Sequence, residues 1–175
     1  MVAPMLRRPF VSFLLLALAS SGCGASFPTS EPHALLEQAA EPRSEPTLAG
    51  EMLSFPEPGK VTLVDFWATS CKPCVKIMPA VDALHREKQS EGLVVVGIAT
   101  DDNPGLVMNR IRELGVSYPN LIDDAASSMQ GACRVDELPT TFLIDKRGRV
   151  RLVRKGGEEG ELEALRVATE LLLAE

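Results

Sequence analysis

From about Glu51 onward, apolar runs alternate with amphipathic stretches. Val61–Ala68 and Leu93–Thr100 (LVVVGIAT) are apolar over nearly consecutive positions, the pattern of strands covered on both faces of a sheet. Between them, Val75, Met78, Val81 and Leu84 recur at helical spacing and predict a helix from about Lys72 to Lys88. Leu106–Leu114 reads as a helix stopped by Gly115, and Ala125–Cys133 as a short helix. Thr140–Asp145 and Arg149–Arg154 predict a hairpin across Lys146-Arg147-Gly148, and Glu159–Leu173 a closing amphipathic helix. Strand–helix alternation ending in a hairpin predicts an α/β sandwich around a mixed sheet.

The N-terminal part follows different rules. Arg7 and Arg8 precede the apolar run Phe10–Ala19, and small residues follow from Ser20 to Ala25. A basic segment, a short apolar segment and a small-residue zone describe an export signal over residues 1–22. The run is too short to span a bilayer comfortably. Ser20-Ser21-Gly22-Cys23 resembles a bacterial lipobox, which implies lipid attachment at Cys23 and a membrane-anchored, envelope-side or periplasmic protein. Ser20 departs from the usual leucine, and ordinary cleavage after Ala25 would instead discard Cys23 with the leader. Residues 23–50 carry Pro28, Pro32, Pro42 and Pro46 among polar side chains and read as a linker, leaving 51–175 as the folded domain.

The chemistry concentrates where the first buried strand meets the first long helix, in Trp67-Ala68-Thr69-Ser70-Cys71-Lys72-Pro73-Cys74. Two sulfurs at C-x-x-C spacing can form and break a disulfide. The first falls at a helix N-terminus, where unpaired N–H groups favour the thiolate that attacks disulfides. Lys72 adds positive charge. A structural zinc site would need four ligands, and Cys23, Cys133, His33 and His85 fall in no such spacing. A merely structural disulfide closing so short a loop would be a weak staple. His33 and His85 read as solvated side chains, and Cys133 as a small core residue, with a third reactive sulfur as the alternative.

Three segments together, the W-A-x-x-C-x-P-C stretch, Pro79, and Leu138-Pro139-Thr140-Thr141-Phe142-Leu143-Ile144-Asp145, resemble the thioredoxin superfamily over roughly Met52 to Leu173. The nearest branch is that of the membrane-tethered TlpA/ResA-like thiol–disulfide oxidoreductases. The resemblance implies a thioredoxin-like three-layer sandwich with a central mixed sheet. It assigns Cys71 as the exposed nucleophile, Cys74 as the buried resolving cysteine and Pro139 as a cis-proline beside them. Asp65 becomes the buried carboxylate that takes the Cys74 proton. Trp67, Lys72, Pro73, Leu138 and Thr140 become the substrate-facing surface, with Leu138 offering its backbone to an extended partner segment. The chain departs from the branch at Ser70, where an aromatic often stands, at Ile77, where many members carry Glu, and at Asp65, where they often have Asn.

The implied function is dithiol–disulfide exchange, most readily as a reductant, with no cofactor and no metal. Its partners would be exported cysteine-containing proteins, such as apocytochromes or copper-site proteins, and a membrane electron-donor thiol protein. A net charge of −6 and no basic patch argue against a nucleic-acid partner. The alternatives are a tethered binding or copper-handling lipoprotein with an inert dithiol, and a thiol peroxidase. The peroxidase pattern P-x-x-x-[ST]-x-x-C has no match before Cys71, and the C-x-x-x-C of metal-delivery relatives is absent.

Overall fold

The structure, a computed structural model, describes residues 26–101, 103–123, 128–157 and 159–175. Its elements in chain order are β1 (Arg43–Pro46), β2 (Met52–Phe55), β3 (Val61–Trp67), α1 (Lys72–Lys88), β4 (Leu93–Ala99), α2 (Pro104–Leu114), β5 (Asn120–Ile122), α3 (Met129–Ala132), β6 (Thr140–Ile144), β7 (Val150–Lys155) and α4 (Glu159–Ala174). Five strands form a mixed sheet in the order β5-β4-β3-β6-β7. β4 runs parallel to β3, and β5 parallel to β4. β6 and β7 complete the sheet antiparallel. The β6–β7 turn is closed by Asp145, whose carboxylate accepts the Arg147 and Arg149 amides at 2.9 Å each.

Every residue of β3 is buried, as its apolar run requires of a central strand. Alternate positions serve opposite faces. Leu63 and Trp67 pack with Val95, Ala99, Leu143 and Leu152 under α1 (Met78, Val81, Leu84) and α4 (Leu165, Ala168, Leu172). Val64 and Phe66 pack with Val96, Ile98, Phe142 and Val153 on the other face. That second face has little helix over it: Met129 of α3, and Leu35, Ala40 and Leu53 from the N-terminal part.

Residues 26–50 are therefore not a free linker, and the folded unit starts well before Glu51. The segment lies along the sheet's β7 edge. Glu31 N donates to Val153 O (2.9 Å), Glu37 N to Val150 O (2.7 Å) and Ala40 N to Gly148 O (2.8 Å), while Val150 N donates to Gln38 O (3.0 Å). β1 then pairs antiparallel with β2, and Leu48 N donates to Asn120 O of β5 at 2.8 Å. One strap thus satisfies backbone groups on both edge strands, which would otherwise be open to pairing with other chains. Over residues 33–40 the chain makes tight turns around Glu37, whose φ is 62°. The second-face packing leaves a cavity of about 260 Å³ lined by Leu35, Phe55, Val64, Met129, Cys133 and Phe142.

Candidate active site

β3 delivers its C-terminal end into a short turn, and the turn delivers Cys71 to the start of α1. Trp67 O accepts from Thr100 N (2.9 Å), and Cys71 N donates to Ala68 O (3.0 Å). The Asp101 carboxylate, just past β4, clamps the turn: Thr69 N donates to it at 2.8 Å, and the Thr69 hydroxyl donates to its other oxygen. Cys71 is the N-cap of α1, with its Sγ accepting from Cys74 N at 3.2 Å. The two cysteines form a disulfide with Cα atoms 5.3 Å apart. Cys74 is fully buried, while Cys71 is half-exposed beside the exposed Lys72 and Pro73. In the reduced state this gives one sulfur that a partner can reach, at the positive end of a helix, and one that it cannot.

Two backbone approaches frame the pair. Leu138–Pro139 is a cis peptide, and Pro139 O accepts from Gly156 N at 3.0 Å. Gly157 lies directly against the dipeptide between the cysteines: a Cβ on it would fall 2.8 Å from Pro73 O. The Gly156-Gly157 loop thus ties the Pro139 backbone to the C-x-x-C turn.

Asp65 is completely buried on the same side of β3 as Leu63 and Trp67. Thr141, its cross-strand neighbour on β6, donates its hydroxyl to Asp65 Oδ1 at 2.9 Å, and Oδ2 has no protein partner. Burial pushes the carboxyl up to about 7 against the lowering effect of the Thr141 bond. A group with that pKa exchanges protons near neutral pH.

Two residues expected on the substrate face lie elsewhere. Trp67 is fully buried and donates its indole N–H to Asn120 Oδ1, because its position in β3 points it under α1. Thr140 is also buried, with its hydroxyl donating to Glu137 O at 2.8 Å. Leu138 is half-buried and touches both core clusters. Cys133 is a free thiol on the second face, raised above its ordinary range mainly by burial, and it packs away from the cluster containing Cys71 and Cys74. Cys23 falls outside the described residues. The sequence reading missed Asp101 and Asn120, and it gave no role at the site to Thr141 or Gly157.

Residues 26–171 match the Redoxin family. The chain belongs to the redoxin family. Within it, the chain is similar to the thiol-disulfide oxidoreductase ResA of Bacillus anthracis, 36% identical over 92 residues, 53% of each chain. The chain thus spans about half the length of the curated relatives it matches. Among solved structures it resembles a thiol:disulfide interchange protein, DsbE, from Chlorobium tepidum, with a TM-score of 0.72 and 24% identity over 83% of this chain and 99% of that one. A thioredoxin from Neisseria meningitidis gives a TM-score of 0.65 and 28% identity over 78% and 93%. The architecture is thioredoxin-like, and the redoxin match includes the strap.

Proposed function

We propose that this redoxin is an exported, lipid-anchored thiol–disulfide oxidoreductase that reduces disulfides in exported cysteine-containing proteins. The observation that carries the reading is the Cys71–Cys74 disulfide at the start of α1, one sulfur reachable and the other buried. Its similarity to ResA supports the same chemistry.

In the reduced protein, the Cys71 thiolate attacks one sulfur of a partner disulfide. The partner's other sulfur leaves as a thiolate and takes up a proton, and a mixed disulfide joins Cys71 to the partner. Cys74 then gives its proton to the Asp65 carboxylate, directly or through a water. The Cys74 thiolate attacks Cys71 Sγ, the partner's remaining sulfur leaves as a thiolate, and the enzyme disulfide closes. Two electrons have passed from enzyme to partner. A membrane thiol protein returns the enzyme to its dithiol form by the reverse exchange. Lys72, Pro73 and the Leu138 backbone meet the partner, and lipid on Cys23 holds the domain at the membrane.

Trapping tests this reading. Cys74→Ser, which can start the reaction but cannot resolve it, should accumulate covalent adducts with envelope proteins that dithiothreitol releases. Cys71→Ser should accumulate none. Adducts that form equally on both variants, or on neither, would contradict the mechanism.

A further inference from the structure

Asp65 has a neighbour on each side in the sheet, Thr141 on β6 and Gly97 on β4. Thr141 donates its hydroxyl to Oδ1. Glycine leaves the other side open, and the Tyr118 ring fills it: its Cε2 lies 3.1 Å from the point that a Cβ on Gly97 would occupy. Tyr118, two residues before β5, is buried in the cluster that holds Leu63, Trp67 and Cys74. Its ring thus stands on the face of the sheet from which Asp65 projects, one strand away.

Asp65 Oδ2 and the Tyr118 hydroxyl are both buried, and among the described residues neither has a hydrogen-bond partner. Buried side-chain polar atoms nearly always have one. The polar groups around Tyr118 are otherwise engaged. Asn120 uses its Oδ1 on the Trp67 indole and its amide on Tyr118 O. Asp82 of α1 is held by Arg86 at 2.7 Å and by Ser117 N and Oγ at 2.6 and 2.8 Å. His85 of α1 meets the Tyr118 ring edge-on with centroids 6.2 Å apart, and its Nδ1 is also unpartnered. Charge decides between His85 and Asp65, because a carboxylate is the stronger acceptor. Burial first, and then the charges of Asp65 and Asp82, raise the phenol well above its ordinary range, so it keeps its proton and stays a donor.

We propose that Tyr118 is a positioning residue for the resolving step: its hydroxyl donates, directly or through one water, to the Asp65 oxygen that Thr141 leaves free, and so favours the charged form that accepts the Cys74 proton. One proton moves, from Cys74 Sγ to the Asp65 carboxylate. Tyr118 keeps its own, and once Asp65 is protonated the same hydroxyl accepts from it. The inference rests on the exchange chemistry proposed above and adds a group that sets the pH at which resolution runs.

Tyr118 is the only tyrosine, so 3-fluorotyrosine supplied during expression puts a single fluorine beside this hydroxyl. In the oxidised protein its fluorine NMR signal should move with a midpoint of about 7, the value to which burial raises Asp65. The movement should vanish in Asp65→Asn and survive in His85→Gln. A signal that stays still across the neutral range, that still moves in Asp65→Asn, or that His85→Gln silences would overturn the link. Tyr118→Phe keeps the ring and removes the hydroxyl. It should raise the Asp65 midpoint, read from its carboxyl carbon signal, by about one pH unit. Below that midpoint resolution should slow about tenfold, as the charged fraction does, while the first attack, read in a Cys74→Ser background, keeps its rate. An unmoved midpoint in a folded Tyr118→Phe protein would overturn the proposal; should that variant not fold, the fluorine titration decides alone. If hydroxyethyl disulfide leaves Cys71 and Cys74 reduced, the exchange reading fails instead, whatever the fluorine signal does.

Discussion

Trp67 donates its indole N–H to Asn120 Oδ1 at 2.9 Å, and the space for that bond exists because residue 97, between them in the sheet, is glycine. A Cβ at Gly97 would stand 2.1 Å from Asn120 Oδ1. The Asn120 amide also donates to Tyr118 O at 2.9 Å, so the side chain has nowhere to retreat without breaking a buried bond. Gly97→Ala should cost about 1–3 kcal/mol, the usual range for overpacking. Trp67 is the only tryptophan, so its fluorescence reports the same event. The variant should show a lower urea midpoint and altered native emission; an unchanged midpoint and spectrum would contradict the packing described.

Asp65 places a pH dependence on stability. Its carboxyl rises from the ordinary 3.8 to about 7 in the folded protein, chiefly through burial. The folded state therefore holds its proton where the unfolded state has lost it, and stability falls as pH rises from about 4 to about 7. The full effect is on the order of 4 kcal/mol. Asp65→Asn should remove that fall, leaving a protein more stable than the parent at pH 8 and not at pH 4. It should also slow disulfide exchange at least tenfold near neutral pH, by removing the acceptor proposed for the Cys74 proton. Denaturant titrations at the two pH values, with exchange rates alongside, separate the effects.

Thr141 tunes the same carboxyl. Its hydroxyl is the one side-chain donor to Asp65 among the described residues. A hydrogen bond to a charged group is worth about 1.5 kcal/mol or more, close to one pH unit. Thr141→Val should move the midpoint of the pH–rate profile for resolution upward by about that amount. Thr141→Ser, which keeps the hydroxyl, should restore the parent midpoint.

The strap makes truncation costly. A chain starting at Glu51 loses β1 and the backbone bonds that residues 31–40 make to the β7 side. At about 0.5–1.5 kcal/mol each, four such bonds contribute roughly 2–6 kcal/mol before the lost cover of Phe142 and Val153 is counted. The shorter chain should unfold at lower urea and self-associate through its exposed edge, as sedimentation would show. Equal stability and a monomeric state would contradict the role given to the strap.

What the sequence revealed, and what it hid, follows from how each feature is encoded. β3, α1 and β4 were legible to within a residue, because each carries a long apolar run or a helical period. β5 was not, since Asn120-Leu121-Ile122 is too short to show a period. The strap escaped because it docks largely through main-chain hydrogen bonds, which composition does not report. Trp67 was placed on the substrate face by the family resemblance. Strand alternation from Leu63 and Asp65 already pointed it under α1. The Thr141 bond to Asp65 depends on the antiparallel register of β3 and β6, which no local pattern states.

A redox titration of the full chain most directly tests whether Cys71 and Cys74 form a working couple. Equilibration in dithiothreitol or glutathione buffers, acid quenching and mass counting of alkylated thiols would follow both sulfurs at once. Cys71 and Cys74 should convert together and reversibly, with a midpoint near the thioredoxin value of roughly −270 mV, while Cys133 stays a single thiol throughout. A midpoint near roughly −120 mV would make the protein an oxidant, contrary to the reductant role, and the absence of any reversible two-thiol step would contradict the account altogether.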